Sequence, residues 1–373
     1  MRVGIFHWSF DELGGGEMLA SYLAKALGTK VYSVIKDEKL NTLGFVDISP
    51  HLPFVAKLAR RFRSFDYLTW SSVDVRDFDD FDAVVTSGLT ARALITPDDV
   101  MHVHYNHSPA RWLYDLWHYR RKSKMWIKQN LILPLVSEFF RIWDASVDNR
   151  VDYYFSNSPI TKRRLWKYLK RDSVVLYPPI EFDKYISKES EDFYLFVGRL
   201  WHEKKPEEAI RACIKEKKRI VVIGSGYLEK YLRDKYGNNQ YVEIKGFVSE
   251  DEKIDLLSRC KAVIYPPIAE DFGIVPVEAL ASGKPVIVAD TGFPPILLSE
   301  TGFVNKNGVL RVYNGGIVTK GDETTIAIAI RMFDRFEWNS DAMREFAKRF
   351  DFSVFRGKLR KQLEEWYDEF TRM

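Results

Sequence analysis

Short apolar runs rich in Val, Ile, Phe and Tyr recur along the chain, each followed by a loop and then by a segment with apolar residues at helical spacing. Val3 to Trp8 reads as a strand, DELGGGE at 11–17 as a loop, and MLASYLAKAL as the helix behind it. VYSVI at 31–35, AVVTS at 83–87 and MHVHYN at 101–106 read as further strands. Next comes a strand from Tyr153 to Phe155, then a helix with Ser158 as N-cap and Pro159 in its first turn. SVVLYPPI at 173–180 reads as a last strand, and Tyr177-Pro178-Pro179-Ile180 opens a linker, since neither strand nor helix accommodates it. The second half restarts the pattern. FYLFVGRL at 193–200, RIVVIG from 219, VEIKG from 242, KAVIY to 265, KPVIVAD to 290 and GVLRVYNGGI to 317 read as strands, separated by helices; FSVFRGKLRKQLEEWYDEF closes the chain as an amphipathic helix. This alternation predicts an α/β chain built on doubly wound parallel sheets, which bind ligands beyond the C-terminal ends of their strands.

At 373 residues, two domains are expected, with boundaries at 1–178 and 179–352 and the terminal helix 353–373 packing back on the first. A composition of 46% hydrophobic and 29% charged residues is globular, not disordered. Two cysteines, Cys213 and Cys260, give neither a disulfide framework nor a zinc cluster, which fits a reducing, cytoplasmic compartment. MRVGIFHWSF breaks into polar residues too early for a signal peptide, and no apolar stretch is long enough to span a bilayer. The net charge of +4 is unevenly spread: AKLARRFRS at 56–64 and HYRRKSKMWIK at 118–128 interleave cations with apolar and aromatic residues. Each fits either a solvated helix face or a segment resting on a membrane surface. Neither carries a nucleic-acid reading motif, so no nucleic-acid partner is expected.

The densest candidate chemistry is IAEDFGIVPVEALASG at 268–283. Gly273 precedes a helical run from Ile274, so the first free N–H groups there form an anion site. Glu278 lies one turn inside, positioned for ribose hydroxyls, and Glu270 precedes the turn, within reach of a sugar beyond the phosphates; the pattern alone equally describes a strand, a loop and a helix whose two acids simply face water. In the first half, Gly14, Gly15 and Gly16 let backbone approach a ligand, a weak signal by itself. His102 and His104 share one face of a strand and read as core histidines or, less readily, a metal pair, whereas His107 falls past the strand end beside Ser108 and Pro109. Asn106-His107-Ser108 matches a glycosylation acceptor by chance. Asp79, Asp80 and Asp82 precede a strand instead of ending one, so no metal-binding acid pair is expected.

GGGE at 14–17, HSPARW at 107–112, SNS at 156–158, GRLWHEK at 198–204, GSG at 224–226, KGFVS at 245–249 and EDFGIVPVE at 270–278 stand in an order and spacing that resemble the family 4 retaining glycosyltransferases of GT-B architecture. The resemblance covers nearly the whole chain. It implies two facing Rossmann-like domains with a nucleotide-sugar cleft. It also implies that Arg199 and Lys204 neutralise the donor diphosphate, that Glu270 meets the donor sugar and that Glu278 binds ribose. Gly15, Gly16, Gly198, Gly246, Phe247, Phe272, Gly273, Ile274 and Val275 would line the donor, His107 would lie by the transferred sugar and acceptor, and Arg111 would stand on the acceptor side. HSPARWLYDLW is similar to a mannosyltransferase branch, which implies GDP-mannose as donor.

Two departures stand out. Lys205 replaces a glycine common in the family, and the loop at 289–303 has Phe293-Pro294-Pro295 where many members have a glycine pair followed by Glu. The implied reaction is metal-independent and cofactor-free transfer of a hexose, with retention, from a nucleoside diphosphate sugar to a glycan or a lipid-linked acceptor at the cytoplasmic membrane face. A GT-B nucleotide-sugar epimerase and a non-catalytic sugar-nucleotide- or glycan-binding protein are the competing readings.

Overall fold

In the computed structural model the chain divides into two compact units, Met1–Pro178 with Phe355–Met373, and Pro179–Val354. The structure describes residues 1–10, 14–35, 44–52, 54, 66–117 and 133–373. The basic segments at 56–64 and 118–128 therefore lie outside the described residues.

The first unit is a seven-stranded sheet in the order β3-β2-β1-β4-β5-β6-β7, every neighbouring pair parallel. Its strands are β1 (Val3–Phe10), β2 (Val31–Ile35), β3 (Val46–Asp47), β4 (Ala83–Ser87), β5 (Met101–Asn106), β6 (Tyr153–Ser156) and β7 (Val174–Val175). β4 and β5 are buried at every position, as central strands covered on both faces are, and their polar side chains Thr86, His102 and His104 satisfy one another. The helices are α1 (Gly15–Leu27), α2 (Asp66–Ser71), α3 (Leu133–Asp148) and α4 (Pro159–Leu169). Ser158 caps α4, its hydroxyl accepting from the Thr161 N–H at 3.2 Å, and Pro159 occupies the first turn, where no donor is lost. α3 is anchored by the buried guanidinium of Arg92, which pairs with Asp144 and Asp148. β7 is shorter than SVVLYPPI suggests. The Leu176 N–H still donates to the Ser156 carbonyl at 2.9 Å, but Pro178 and Pro179 follow after Tyr177 and end the ladder.

The second unit is an eight-stranded sheet ordered β10-β9-β8-β11-β12-β15-β14-β13. β8 (Phe193–Val197), β9 (Arg219–Ile223), β10 (Val242–Gly246), β11 (Ala262–Tyr265), β12 (Val286–Ala289) and β15 (Gly316–Thr319) run parallel. β13 (Phe303–Asn307) and β14 (Leu310–Tyr313) add an antiparallel edge. GVLRVYNGGI, read as one strand, is thus two: Asn314-Gly315 is a two-residue hairpin signal and turns the chain between β14 and β15. The helices are α5 (Pro206–Lys215), α6 (Glu229–Tyr236), α7 (Glu250–Arg259), α8 (Ile274–Ala281), α9 (Pro294–Ser299), α10 (Glu323–Met332) and α11 (Ser340–Ala347). α12 (Phe352–Phe370) ends the chain, its residues from Phe355 belonging to the first unit. Among the described residues, no helix is long and apolar enough to cross a membrane.

Each sheet has one switch point, where the chain reverses its direction of strand addition: between β1 and β4 in the first unit, and between β8 and β11 in the second. Loops that leave a sheet in opposite directions open a crevice there.

Candidate functional site

In the second unit, Arg199 follows β8 and Glu270 follows β11, so the switch point sets them side by side. Lys204 ends the single 3-10 turn His202–Lys204, and its ammonium lies 2.5 Å from a Glu270 carboxylate oxygen. Both side chains are one-fifth exposed, so the pair is shielded yet reachable. Arg199 is held over the Trp201 ring at 4.2 Å and, among the described residues, has no carboxylate within ion-pair distance. Its guanidinium thus remains available for an anion. Tyr265, at the end of β11, shows that these groups converge. Burial first, then the Glu270 and Glu278 carboxylates, push its phenol well above the usual range, and Arg199 opposes them.

The acidic loop is pinned on two sides. Ile268 donates to the Glu203 carbonyl at 2.8 Å and Phe293 to the Glu270 carbonyl at 2.9 Å, and Glu270 also forms a parallel bridge with Gly292. Gly273 has φ 82° and opens α8 without a side-chain cap, which leaves the first N–H groups of that helix to a ligand. The backbone angle suits glycine, and a Cβ there would come within 3.1 Å of Tyr265. Ile274 and Val275 form the first turn of α8. Phe272 is buried and stacks on Phe293 with centroids 5.6 Å apart, so only its backbone can face a ligand.

Glu278 is buried one turn into α8. Its Oε1 accepts from the Tyr185 hydroxyl at 3.0 Å and from Lys253 at 2.8 Å, while Oε2 is buried with no partner among the described residues. Burial works against the charge of Lys253, but Glu278 and Glu250 outweigh it and raise its pKa. A buried carboxylate oxygen left open beside a fixed one suits a hydroxyl donor. Sequence reasoning missed Tyr185 and Lys253: neither lies in a motif, and only the register of α7 against α8 brings Lys253 to Glu278.

Gly198, Gly224 and Gly246 meet at the adjoining ends of β8, β9 and β10. Gly224 donates to the Gly246 carbonyl at 2.7 Å, and a Cβ on Gly224 would lie 2.0 Å from the Gly198 oxygen. The Gly-Ser-Gly turn is therefore a close backbone crossing, and α6 begins only at Glu229. Phe247, just beyond, is 81% exposed.

In the first unit, His107 stands one residue past β5. Its Nε2 is 2.8 Å from the Ser87 hydroxyl, and Asn157 donates to its carbonyl at 2.8 Å. Burial pushes its pKa down to about 3, reinforced by His7 and opposed by Glu17. The imidazole is therefore neutral at pH 7 while its ring keeps partial solvent access. Gly15 and Gly16 begin α1, and a Cβ on Gly16 would lie 3.6 Å from the His7 ring and 4.0 Å from that of His107. His7 is fully buried in register with Ser87, and both its ring nitrogens lack a hydrogen-bond partner among the described residues. Glu17 lies 3.6 Å from His7, beyond hydrogen-bond distance but close enough for attraction. Burial raises the Glu17 pKa, and His7 more than offsets this. His7 is not legible in the sequence, because nothing in β1 marks which residue will face the switch point. Arg111 sits in the 3-10 turn Arg111–Leu113, bonded at 2.7 Å to Asp115.

His102 and His104 are core histidines, both hydrogen-bonded to the Thr86 hydroxyl at 2.9 Å. Among the described residues, no group of three or more His, Cys, Asp or Glu is placed to hold a metal ion.

Residues 179–333 match the family described as glycosyl transferases group 1. The chain is 38% identical over 112 residues to the uncharacterized glycosyltransferase MJ1607 of Methanocaldococcus jannaschii, covering 28% of this chain and 29% of that one. It is 27% identical over 207 residues to the O-antigen chain mannosyltransferase RfbU of Salmonella typhimurium, covering 52% of each. To the alpha-1,3/1,6-mannosyltransferase ALG2 of Saccharomyces cerevisiae it is 30% identical over 192 residues, covering 37% of this chain and 38% of that one. The chain thus spans between about a third and a half of the length of these curated relatives. Among solved structures, Anabaena HepE in complex with UDP-glucose superposes with TM-score 0.68 at 16% identity, covering 98% of this chain and 100% of that one. WaaG, a glycosyltransferase involved in lipopolysaccharide biosynthesis, superposes with TM-score 0.65 at 13% identity, covering 96% and 98%. At such identities these likenesses establish the GT-B fold.

Proposed function

We propose that this chain, which belongs to the family 4-like GT-B glycosyltransferases, transfers a hexose from a nucleoside diphosphate sugar to a hydroxyl of a glycan or lipid-linked acceptor, with retention and without a metal ion. The observation that carries this reading is the second unit's switch point. Arg199 without a carboxylate partner, Lys204 on Glu270, the uncapped start of α8 and the open oxygen of Glu278 lie together there. A departing diphosphate gains negative charge, which two fixed cations and a helix N-terminus stabilise more strongly in the transition state than in the ground state. In this reading Glu278 accepts hydrogen bonds from ribose and Glu270 from the donor sugar, while Gly198, Gly246, Phe247, Phe272, Gly273, Ile274 and Val275 line the donor. From the first unit, Gly15 and Gly16 approach the donor, neutral His107 acts beside the transferred sugar, and Arg111 meets the acceptor.

Mannose from GDP-mannose is the donor we favour, because two of the relatives are named mannosyltransferases. The HepE complex holds UDP-glucose, so the decisive experiment is a thermal-shift panel of GDP-, UDP- and ADP-sugars. GDP-mannose should give the largest rise in melting temperature. A larger rise with a UDP-sugar would overturn the donor assignment, and no rise with any sugar nucleotide would sink the transferase reading. The anomeric configuration of the product, read by NMR, tests retention.

A further inference from the structure

β8 and β9 pair up to their last residues, Val197 opposite Ile223, so the segments that follow, 198–204 and 224–228, leave the sheet side by side. Three hydrogen bonds stitch them together. The Leu200 N–H donates to the Ser225 carbonyl at 2.8 Å, the Leu228 N–H to the Leu200 carbonyl at 3.0 Å, and the His202 N–H to the Tyr227 hydroxyl at 2.9 Å. The Trp201 indole packs against the second segment: its ring stacks on that of Tyr227 with centroids 5.9 Å apart, and a Cβ on Gly226 would lie 2.6 Å from the indole Cδ1. The second glycine of Gly-Ser-Gly therefore supplies the space the indole occupies.

Arg199 rests on that indole, its guanidinium carbon 4.2 Å from the ring centroid. The mode of contact decides what the guanidinium can still do. A carboxylate partner takes up the N–H edge and offsets the charge, whereas an aromatic ring meets the flat face of the guanidinium and leaves both its edge donors and its charge free. Acids compete for cations in this crevice, as the Lys204–Glu270 pair shows, so a partner that holds Arg199 without neutralising it has a purpose. Neither ring is spent on the core: Tyr227 is 59% exposed and Trp201 only partly buried. We infer that Trp201, backed by Tyr227, is a positioning residue that holds Arg199 by its face and so presents the N–H edge to a phosphate of the bound nucleotide. This rests on the transferase reading and deepens it, since it adds two aromatic residues that touch no substrate yet set the affinity for the diphosphate. The stitching also carries the arrangement to the second cation, because the Lys204 N–H donates to the Trp201 carbonyl at 3.0 Å.

The test is isothermal titration calorimetry of the full chain with GDP and with UDP, arranged as a double-variant cycle. Trp201→Leu should weaken binding of the tighter diphosphate about fivefold, the equivalent of one cation–π contact. In an Arg199→Met background the same change should alter affinity by less than about twofold, because the residue it positions is gone. Trp201→Tyr keeps an aromatic face and should bind within about twofold of wild type. Tyr227→Ala, which withdraws the support, should lose part of what Trp201→Leu loses, again only while Arg199 is present. A Trp201→Leu loss of equal size with and without Arg199 would overturn the inference, because the indole would then be stacking on the nucleobase or merely shaping the loop. No loss in either background, or a Trp201→Tyr variant as weak as Trp201→Leu, would overturn it as well. In each of those cases diphosphate binding by wild type leaves the transferase reading standing, whereas wild type that binds neither diphosphate would sink that reading and this inference with it.

Discussion

The two switch points are built from opposite materials. In the second unit the crevice is charged and cross-braced: Lys204 is locked to Glu270, and Glu278 is held by Lys253 and Tyr185, so each carboxylate has one oxygen fixed. In the first unit the crevice is more weakly charged, with Glu17 3.6 Å from His7, and is sparsely bonded. His107 leans on one serine hydroxyl, His7 has no hydrogen-bond partner among the described residues, and both rings come within 4.0 Å of where a Cβ on Gly16 would stand. The contrast fits a division of labour in which one crevice binds a multiply charged donor and the other must admit a neutral hydroxyl without holding it tightly.

If that division is right, removing a cation from the charged crevice should cost most. Lys204→Ala should lower kcat/KM roughly 100- to 1,000-fold, mainly through kcat, because the charge it meets is larger in the transition state. Steady-state kinetics on the identified donor decide this, and a pure KM effect would reduce Lys204 to a binding residue. His107→Ala should cost roughly 100-fold in kcat. Because burial keeps the imidazole neutral, the wild-type rate should show no acid limb from His107 near pH 6.5; such a limb that vanishes in His107→Ala would contradict the assignment.

The same burial separates the units in acid. His102 is pushed down to about 4 by burial, so in the folded state it stays neutral where the unfolded chain already binds a proton. Its contribution is complete above the unfolded pKa of about 6.5 and is lost as the pH falls toward 4, which at pH 5 amounts to about 2 kcal/mol. Hydrogen exchange at pH 7 and 5 should show protection falling more in the first unit's sheet than in the second's. His102→Gln should narrow that difference.

The charged crevice was legible in sequence and the more weakly charged one was not, for a physical reason. Glu270, Gly273 and Glu278 sit within one strand-loop-helix passage, so local geometry nearly determines where they point. The α/β class was legible for a related reason, since a short unbroken run rich in aromatic residues such as Phe193–Val197 is too brief for a helix and reads as a strand buried on both faces. His7 matters only because β1 pairs with β4 in a register that sets it level with Ser87, and register between distant segments leaves no local trace. Lys253 reaches Glu278 across 25 residues by the packing of α7 on α8, again a long-range consequence.

Bracing in the charged crevice predicts smaller effects. Glu278→Gln should raise the donor KM about tenfold with little change in kcat, the mark of binding that is equal in ground and transition states. Lys253→Met should do the same less strongly and should also lower stability by about 2 kcal/mol, since it strands a buried carboxylate. An unchanged donor KM in Lys253→Met would mean that Tyr185 alone orients Glu278.

The smallest effect concerns Lys205, where many family members have glycine. Its φ of 54° lies in the left-handed region, between the His202–Lys204 turn and α5. That conformation costs a non-glycine residue about 1 kcal/mol. The Lys205 ammonium compensates by donating to the Gly321 carbonyl at 2.9 Å, and lysine also gives up less backbone entropy than glycine on folding. Lys205→Gly should therefore change the urea midpoint by less than the equivalent of about 0.5 kcal/mol, strain relief and lost contacts nearly cancelling. Lys205→Val keeps the strain, adds a β-branch and loses the hydrogen bond, so it should destabilise by about 2 kcal/mol. Equal stability in the two variants would show that the turn before α5 relaxes freely and does not hold Lys204 in place, and the charged crevice would then be less rigid than its ion pairs imply.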